Sequence, residues 1–378
     1  GLLAVAVVVI LGSSAVYLAG SAVAPDLSRE WGLSESEASA VSAASQAGFI
    51  VGTLVAAALN LPDRVGPGRL AALLLVGAGA ANAALLLFPG SLPFSLLTRF
   101  LVGALSGPVY PLAMKVLATW TPRLGPKLGI LLAFSTLGYG SGFLLRALSV
   151  PWEAALLGTT LLALLGAAVA QALLRPGPLL PAATRFSPRA AALAFREPAF
   201  RASALSYFGH MWELVAFWAL LPFWLTAAGY DRTVVLGLAG GVFVTGALGC
   251  LLAARLSLSW GEARVARAAL ATSGVLCLAS PLLFGAPLWV TAPLVLLWGA
   301  AVIADSAMYS ALSARAAPRE YVGTALTVQN GLGFALTIVT LALVPAAAAL
   351  LGSWQYALAL LAVGPILGLL PLRRLMGA

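Results

Sequence analysis

Charge is what this chain has least of. Asp, Glu, Lys and Arg make up 9% of its 378 residues, against about a quarter in a water-soluble domain. Histidine occurs once and cysteine twice. Cys250 and Cys277 lie within apolar runs, so they offer neither a disulfide framework nor a metal-ligand spacing. No GxxxxGK[ST] phosphate loop is present, which argues against ATP as the direct energy source. No Ser/His/Asp grouping stands out, and no polar stretch is long enough to form a catalytic domain outside the apolar runs. The chain is therefore read as not an enzyme, with no cofactor and no metal.

Apolar residues dominate instead, at 61% of the chain, with a mean hydropathy of +1.01. A soluble domain has to keep a polar surface and cannot hide so much apolar area, so the solvent here is lipid. A membrane-crossing helix needs about twenty mostly apolar residues. Runs of that kind fall at 1–24, 37–60, 69–90, 92–119, 127–149 and 152–174. Six more follow at 201–228, 232–254, 265–286, 288–314, 321–345 and 352–372. Their length fits helices, because barrel strands would alternate over about ten residues. The first run starts at Gly1 without Met, is too long for a signal-peptide core and lacks its basic flank, so it is expected to remain as a permanent helix.

Basic residues orient the spans. An even number of spans puts both termini on one side. That side collects sixteen basic residues, among them Arg64, Arg69, Arg123, Lys127, Arg175, Arg185, Arg189, Arg315 and Arg319, while the other holds only Arg29 and Arg232. Both termini are thus expected in the cytoplasm of a cell whose inner membrane holds the protein. The net charge of +9 is an orientation signal and calls for no nucleic-acid partner.

The connections are short except for RPGPLLPAATRFSPRAAALAFREPAF at 175–200, which divides the spans six and six. The expected organisation is an N-terminal bundle at 1–175, a cytoplasmic linker at 176–200 and a C-terminal bundle at 201–378. A short internal repeat supports a duplication. Gly66 and Arg69 after the second span, and Gly261 and Arg264 after the eighth, are each 195 residues apart. Two such bundles in parallel pseudo-repeat are one of the known transporter plans.

The stretch NLPDRVGPGRL at 60–70 falls in the loop between spans 2 and 3. It resembles the signature loop of the major facilitator superfamily, roughly Gly-x-Leu-Ala-Asp-Arg-x-Gly-Arg-Arg. Leu61, Asp63, Arg64, Gly66 and Arg69 fall on that pattern, whereas Leu59 stands where the first Gly is usual and Pro62 replaces Ala. A second pattern of the family, an Arg early in helix 4 followed by spaced glycines, is echoed by RFLVGALSGPVYP at 99–111, and LGYGSG at 137–142 is a fragment of the antiporter glycine motif. The resemblance implies an all-α fold of twelve transmembrane helices in two pseudo-symmetric six-helix bundles, with helices 1, 4, 7 and 10 lining a central cavity. It also implies that the loop is a conformational latch built on Asp63, Arg64, Gly66 and Arg69. On physical grounds alone the same loop reads as a tight turn with arginines beside lipid headgroups.

An ionisable group within hydrocarbon is a functional candidate by default. Arg99 and Lys115 lie on span 4, His210 and Glu213 roughly 14 to 18 Å into span 7, and Asp305 on span 10. All of these belong to helices that the resemblance places around the cavity. Arg146, near the outer end of span 5, reads as an interfacial anchor. Glu213, Asp305 and His210 are the proton-coupling candidates, with His210 sharing a helix face with Glu213 and tuning it or relaying its proton. The bland alternative is a set of static ion pairs. Arg99, Lys115, Tyr110, Tyr17 and Tyr309 are candidates for the substrate cavity, and Asp305 stands 195 residues after Tyr110, at a matching depth of the repeat. Gly48–Gly52, Gly103–Gly107 and Gly237–Gly241 place small residues at four-residue spacing for close helix packing. Pro108, Pro111, Pro222 and Pro293 are candidate kink sites.

The reading that follows is a secondary transporter working by alternating access and coupled to protons by symport or antiport; its partners are a small solute, protons and the bilayer, in a chain acting as a monomer. Bases on the first half and acids on the second favour an anionic solute. A proton-driven exporter of lipophilic cations is the alternative. A non-transporting receptor or scaffold, from a different class, would not need the buried titratable groups.

Overall fold

The computed structural model describes residues 1–120, 125–178, 192–317 and 322–375, with the backbone alone at Pro62, Asp63, Gly125 and Pro126. Residues 179–191 of the expected linker lie outside this range, as do Arg123, Arg185, Arg189, Arg319 and the side chain of Asp63. Among the described residues there are no strands, and twelve helices are long and apolar enough to cross a membrane. The protein is an integral, multi-pass, all-α membrane protein. It divides into two compact units, Gly1–Phe186 and Ser187–Ala378, each carrying six of the spans.

In the first unit, helix α1 (Leu2–Trp31) packs against α2 (Glu35–Ala58), α7 (Gly125–Ala147) and α8 (Trp152–Leu173). Helix α1 runs seven residues beyond the apolar stretch that announced it, through Pro25, Asp26 and Arg29, and stops at Gly32, whose φ of 66° suits glycine. The extension is possible because Asp26 is not left alone in an apolar setting. Arg146 Nη2 lies 2.7 and 2.8 Å from its two carboxylate oxygens, Arg146 Nε lies 3.1 Å away, and Arg29 Nη2 adds a contact at 2.5 Å. Arg146 also donates to the Val150 carbonyl and is buried, so it is an interhelical clamp between α1 and α7 rather than a snorkelling anchor. Ser34 then starts α2 with a capping box, its hydroxyl accepting from Glu37 N at 3.2 Å while its own N–H reaches Glu37 Oε2 at 2.8 Å.

The 60–70 loop is a single helical turn, α3 (Leu61–Val65), between two left-handed residues, Asn60 at φ 49° and Gly66 at φ 85°. Helix α4 (Pro67–Ala84) follows with proline in its first turn, where the missing N–H costs nothing. Gly68 lets α4 press on the end of α8, since a Cβ there would sit 2.6 Å from the Leu174 carbonyl oxygen. The fourth span is α5 (Leu92–Ser106) and α6 (Val109–Ala118), interrupted at Gly107 and Pro108.

In the second unit, α9 (Pro198–Ala227) is buried along most of its length and carries Pro222 without breaking. It is followed by α10 (Arg232–Trp260) and α11 (Glu262–Leu283), with Gly261 between them at φ 78° and ψ 153°. Gly66 holds φ 85° and ψ 138° at the corresponding place in the first unit, so both members of the 195-residue repeat use the same backbone turn. The tenth span is α12 (Leu288–Ala304) and α13 (Ser306–Ala316), interrupted at Asp305, while Pro293 leaves α12 continuous. Helix α14 (Val322–Leu351) follows, and the last span runs from a 3-10 turn at Leu358–Ala362 into α15 (Val363–Leu372).

Glycines set the closest helix approaches. A Cβ at Gly48 would fall 2.0 Å from Phe100 O, one at Gly52 1.9 Å from Ala104 O and one at Gly103 2.0 Å from Ser45 O. The two glycine pairs read from the sequence in the first unit therefore meet each other, α2 against α5. The pair in the second unit does not work this way: Gly237 faces open space, and Gly241 meets only a Leu296 side chain. The close backbone contact there is made about two turns beyond Gly241, by Gly249 against Ala300 O at 2.3 Å.

Two outcomes follow for purified protein unfolded thermally in detergent. Gly52→Ala forces α2 and α5 apart and lowers stability by about 1–3 kcal/mol, whereas Gly237→Ala, which gains helix propensity in open space, does not lower it. Arg146→Met removes the buried guanidinium that clamps Asp26 and costs about 3 kcal/mol; an unchanged midpoint would show that the clamp carries no stability.

Candidate functional site

Two buried titratable groups of the second unit, His210 and Glu213, lie on α9. Glu213, close to the middle of that helix, is almost wholly shielded. Its Oε1 accepts from Trp298 Nε1 at 2.5 Å and from the Cys277 thiol at 3.3 Å, and its Oε2 accepts from Ser273 Oγ at 2.9 Å. Ser273 and Cys277 are four residues apart on α11, so one helix face presents both donors. Trp298 comes from α12 and is held by stacking on Phe217, with ring centroids 4.4 Å apart, one turn beyond Glu213 on α9. Among the described residues no Lys, Arg or His forms a hydrogen bond or ion pair with Glu213. Three neutral donors surround a carboxyl with no counter-ion, an arrangement that can hold either protonation state without rebuilding an ion pair.

His210 turns elsewhere. Its Nδ1 stands 2.8 Å from Asp305 Oδ1 and its Nε2 stands 2.7 Å from Ser306 Oγ. The expectation that His210 and Glu213 act on each other through a shared face is thus replaced by two separate clusters. The three-residue spacing sends Glu213 towards α11 and α12, and His210 towards the interruption of the tenth span. Asp305 forms that interruption, capping the C-terminus of one helix and the N-terminus of the next. The Tyr309 and Tyr207 rings pack at 5.7 and 6.0 Å from the imidazole, so the pair is enclosed by aromatic faces.

The first unit holds a cation in a neutral setting. Arg99 is fully buried; its Nη1 donates to Asn82 Oδ1 at 2.8 Å and its Nη2 to the Asn82 carbonyl at 3.3 Å. The Asn82 amide nitrogen in turn donates to Leu156 O, Thr159 Oγ1 and Thr160 Oγ1, at 3.0, 3.1 and 3.0 Å, which fixes the amide so that its oxygen faces the guanidinium. No carboxylate reaches Arg99 among the described residues, and its Nε has no hydrogen-bond partner. Gly20 makes room for the side chain, since a Cβ there would lie 2.6 Å from Arg99 Cδ.

Tyr17 donates its hydroxyl to Gln46 Oε1 and packs near Phe49 and Tyr139. Tyr17, Phe49 and Tyr139, with Ser13, Ser14, Ser106 and Tyr110, line a recess of about 10 Å³, room for about one water molecule. Tyr17 and Tyr110 are thereby brought together, whereas Arg99 belongs to the Asn82 network and Lys115 sits half-buried in the last turn of α6. Arg64 and Arg69 are exposed at the ends of α3 and α4, on either side of Gly66. Sequence reasoning missed Asn82, Ser273, Cys277 and Trp298 as partners, and Asp26 as the mate of Arg146. An amide in mid-span and a polar pair at four-residue spacing were the signals available for the first three.

No curated protein matches the chain. The pattern of the Major Facilitator Superfamily matches residues 5–342, which covers most of both units, and the twelve spans agree with it. The chain belongs to the major facilitator superfamily, a family of secondary transporters.

Proposed function

We propose that this transporter is coupled to protons and carries a small anionic solute across the cytoplasmic membrane by alternating access, as a monomer with both termini in the cytoplasm. The observation that carries the coupling is the setting of Glu213, a buried carboxyl held by indole, hydroxyl and thiol donors with no cation among its partners. A permanent structural charge inside a membrane protein is normally matched by an opposite one, because an unmatched ion in a low-dielectric interior is costly. Glu213 has no such match, and taking up a proton removes the need for one. The His210–Asp305 pair is a second proton-handling element, with Ser306 on the other imidazole nitrogen.

The preference for an anion rests on the first unit. A guanidinium whose partners are neutral adds an uncompensated positive field there, and Lys115 is a second basic residue on the same span. Tyr17, Tyr110 and Tyr309 supply hydroxyls for orientation. Asp63, Arg64, Gly66 and Arg69 act as the conformational latch, which is consistent with the left-handed turn at Gly66.

The test is proton flux into proteoliposomes holding a pH-sensitive dye, with carboxylates, inorganic anions and lipophilic cations offered one at a time. The expected outcome is acidification with one anion that disappears in Glu213→Gln while solute exchange down its own gradient persists. Flux only with lipophilic cations would make the protein a drug antiporter. Full proton coupling in Glu213→Gln would overturn the assignment of Glu213 and move it to Asp305, tested in turn by Asp305→Asn.

A further inference from the structure

A recess of about 300 Å³ opens at the end of the second unit where α10 finishes, α11 begins and α13 ends. Its walls include Trp260, Glu262, Arg264, Leu312, Arg315 and Leu375. Arg315 Nη1 lies 2.6 Å from Glu262 Oε1, and more than half of the Arg315 side chain stays exposed, so the rest of its donor fork is open to a ligand. Arg264 is exposed, and it forms no hydrogen bond or ion pair among the described residues. Arg373 and Arg374 immediately precede Leu375 in the chain and are exposed as well. The lining therefore sets one carboxylate beside two guanidinium groups, with two further arginines next to it in the chain. Arginine forks match the planar oxygen pairs of phosphoryl groups.

The apolar part of the lining points the same way. Trp260 closes one span, Leu312 is on the last turns of another and Leu375 follows α15, so all three lie at the end of the apolar zone, where headgroups meet acyl chains. We propose that this recess binds a phosphoryl anion, with Arg264 and Arg315 gripping its oxygens and Trp260, Leu312 and Leu375 receiving an attached apolar chain. A lipid phosphate and free phosphate share the chemistry of the grip; only the lipid uses the apolar wall. The role of Glu262 is to hold Arg315 in place and to compete with the ligand for it. This site stands apart from Glu213 and His210 and does not depend on which solute is carried.

The experiment uses the full chain purified in a neutral detergent. Thermal midpoints and native mass spectra are recorded with added phosphatidylglycerol and, separately, with inorganic phosphate. Saturable stabilisation by phosphatidylglycerol is expected, with its half-saturating concentration raised about tenfold in Arg264→Ala, the loss of one charge-assisted contact. Glu262→Gln, which frees Arg315, is expected to tighten binding about two- to fivefold. Arg196→Ala, an exposed arginine outside the recess, should leave binding unchanged. Arg264 has no internal contact to lose, so its replacement tests the site without threatening the fold. Stabilisation by phosphatidylglycerol alone identifies a headgroup site, and an equal effect of inorganic phosphate identifies a free-anion site. No binding of either by the wild type, or binding that Arg264→Ala leaves untouched, would overturn the proposal.

Discussion

A polar group in hydrocarbon has no water to fall back on, and the interior of each unit is arranged around that constraint. Arg146 and Asp26 meet it with opposite charges and several short contacts. Arg99 meets it with an asparagine whose own amide is tied to two threonines and a carbonyl. His210 and Asp305 meet it with an imidazole that either shares or carries the charge. Glu213 meets it with three donors and no charge at all. These solutions differ in what they cost to change. Removing one member of a matched pair leaves a buried ion, worth about 3–5 kcal/mol, whereas a group surrounded by neutral donors can lose its charge while its neighbours stay where they are.

Close packing makes such networks possible. Arg99 reaches Asn82 because Gly20 gives up its side chain to the guanidinium stem, and α5 sits near enough to its neighbours because Gly48, Gly52 and Gly103 remove the Cβ atoms between α2 and α5. In the second unit a Cβ on Gly209 would lie 2.3 Å from the Gly364 carbonyl, one residue before His210 in the chain. That contact fixes α9 against α15, and Ser206 seals it with a hydrogen bond to Gly368 O at 2.8 Å. The helix that carries Glu213 and His210 is thus anchored on one side, while its two titratable residues reach other helices.

The spans, their number and the signature loop were legible because they depend on local properties: run length, hydropathy, and the glycine and proline positions of a turn. Partners were not. A sequence shows that His210 and Glu213 are three residues apart, but not that the 60° between them on a helix is enough to send one to Asp305 and the other to Trp298. Nor does it show that Asp26, past the end of the first apolar run and next to a proline, lies within a continuous helix, because the residue that makes this tolerable is 120 positions away. Gly237–Gly241 carried the right spacing and made no close backbone contact, since spacing defines a stripe without saying which stripe faces a neighbour.

Glu213 and Asp305 differ in where they sit within their spans. Asp305 shares its environment with the one histidine of the chain and lies at a break in its span, so a change in charge there acts on a point where backbone hydrogen bonding is already interrupted. Glu213 lies inside a continuous helix and is fixed by side chains from α11 and α12, so a change in charge there acts on the packing of three helices. Protonation turns one carboxylate oxygen from an acceptor into a donor. The Ser273 hydroxyl, which also reaches the Leu270 carbonyl at 3.2 Å, can then donate there and accept that proton on its own oxygen. The same three neighbours thus provide for both protonation states of Glu213, the property on which its proposed role in proton coupling rests.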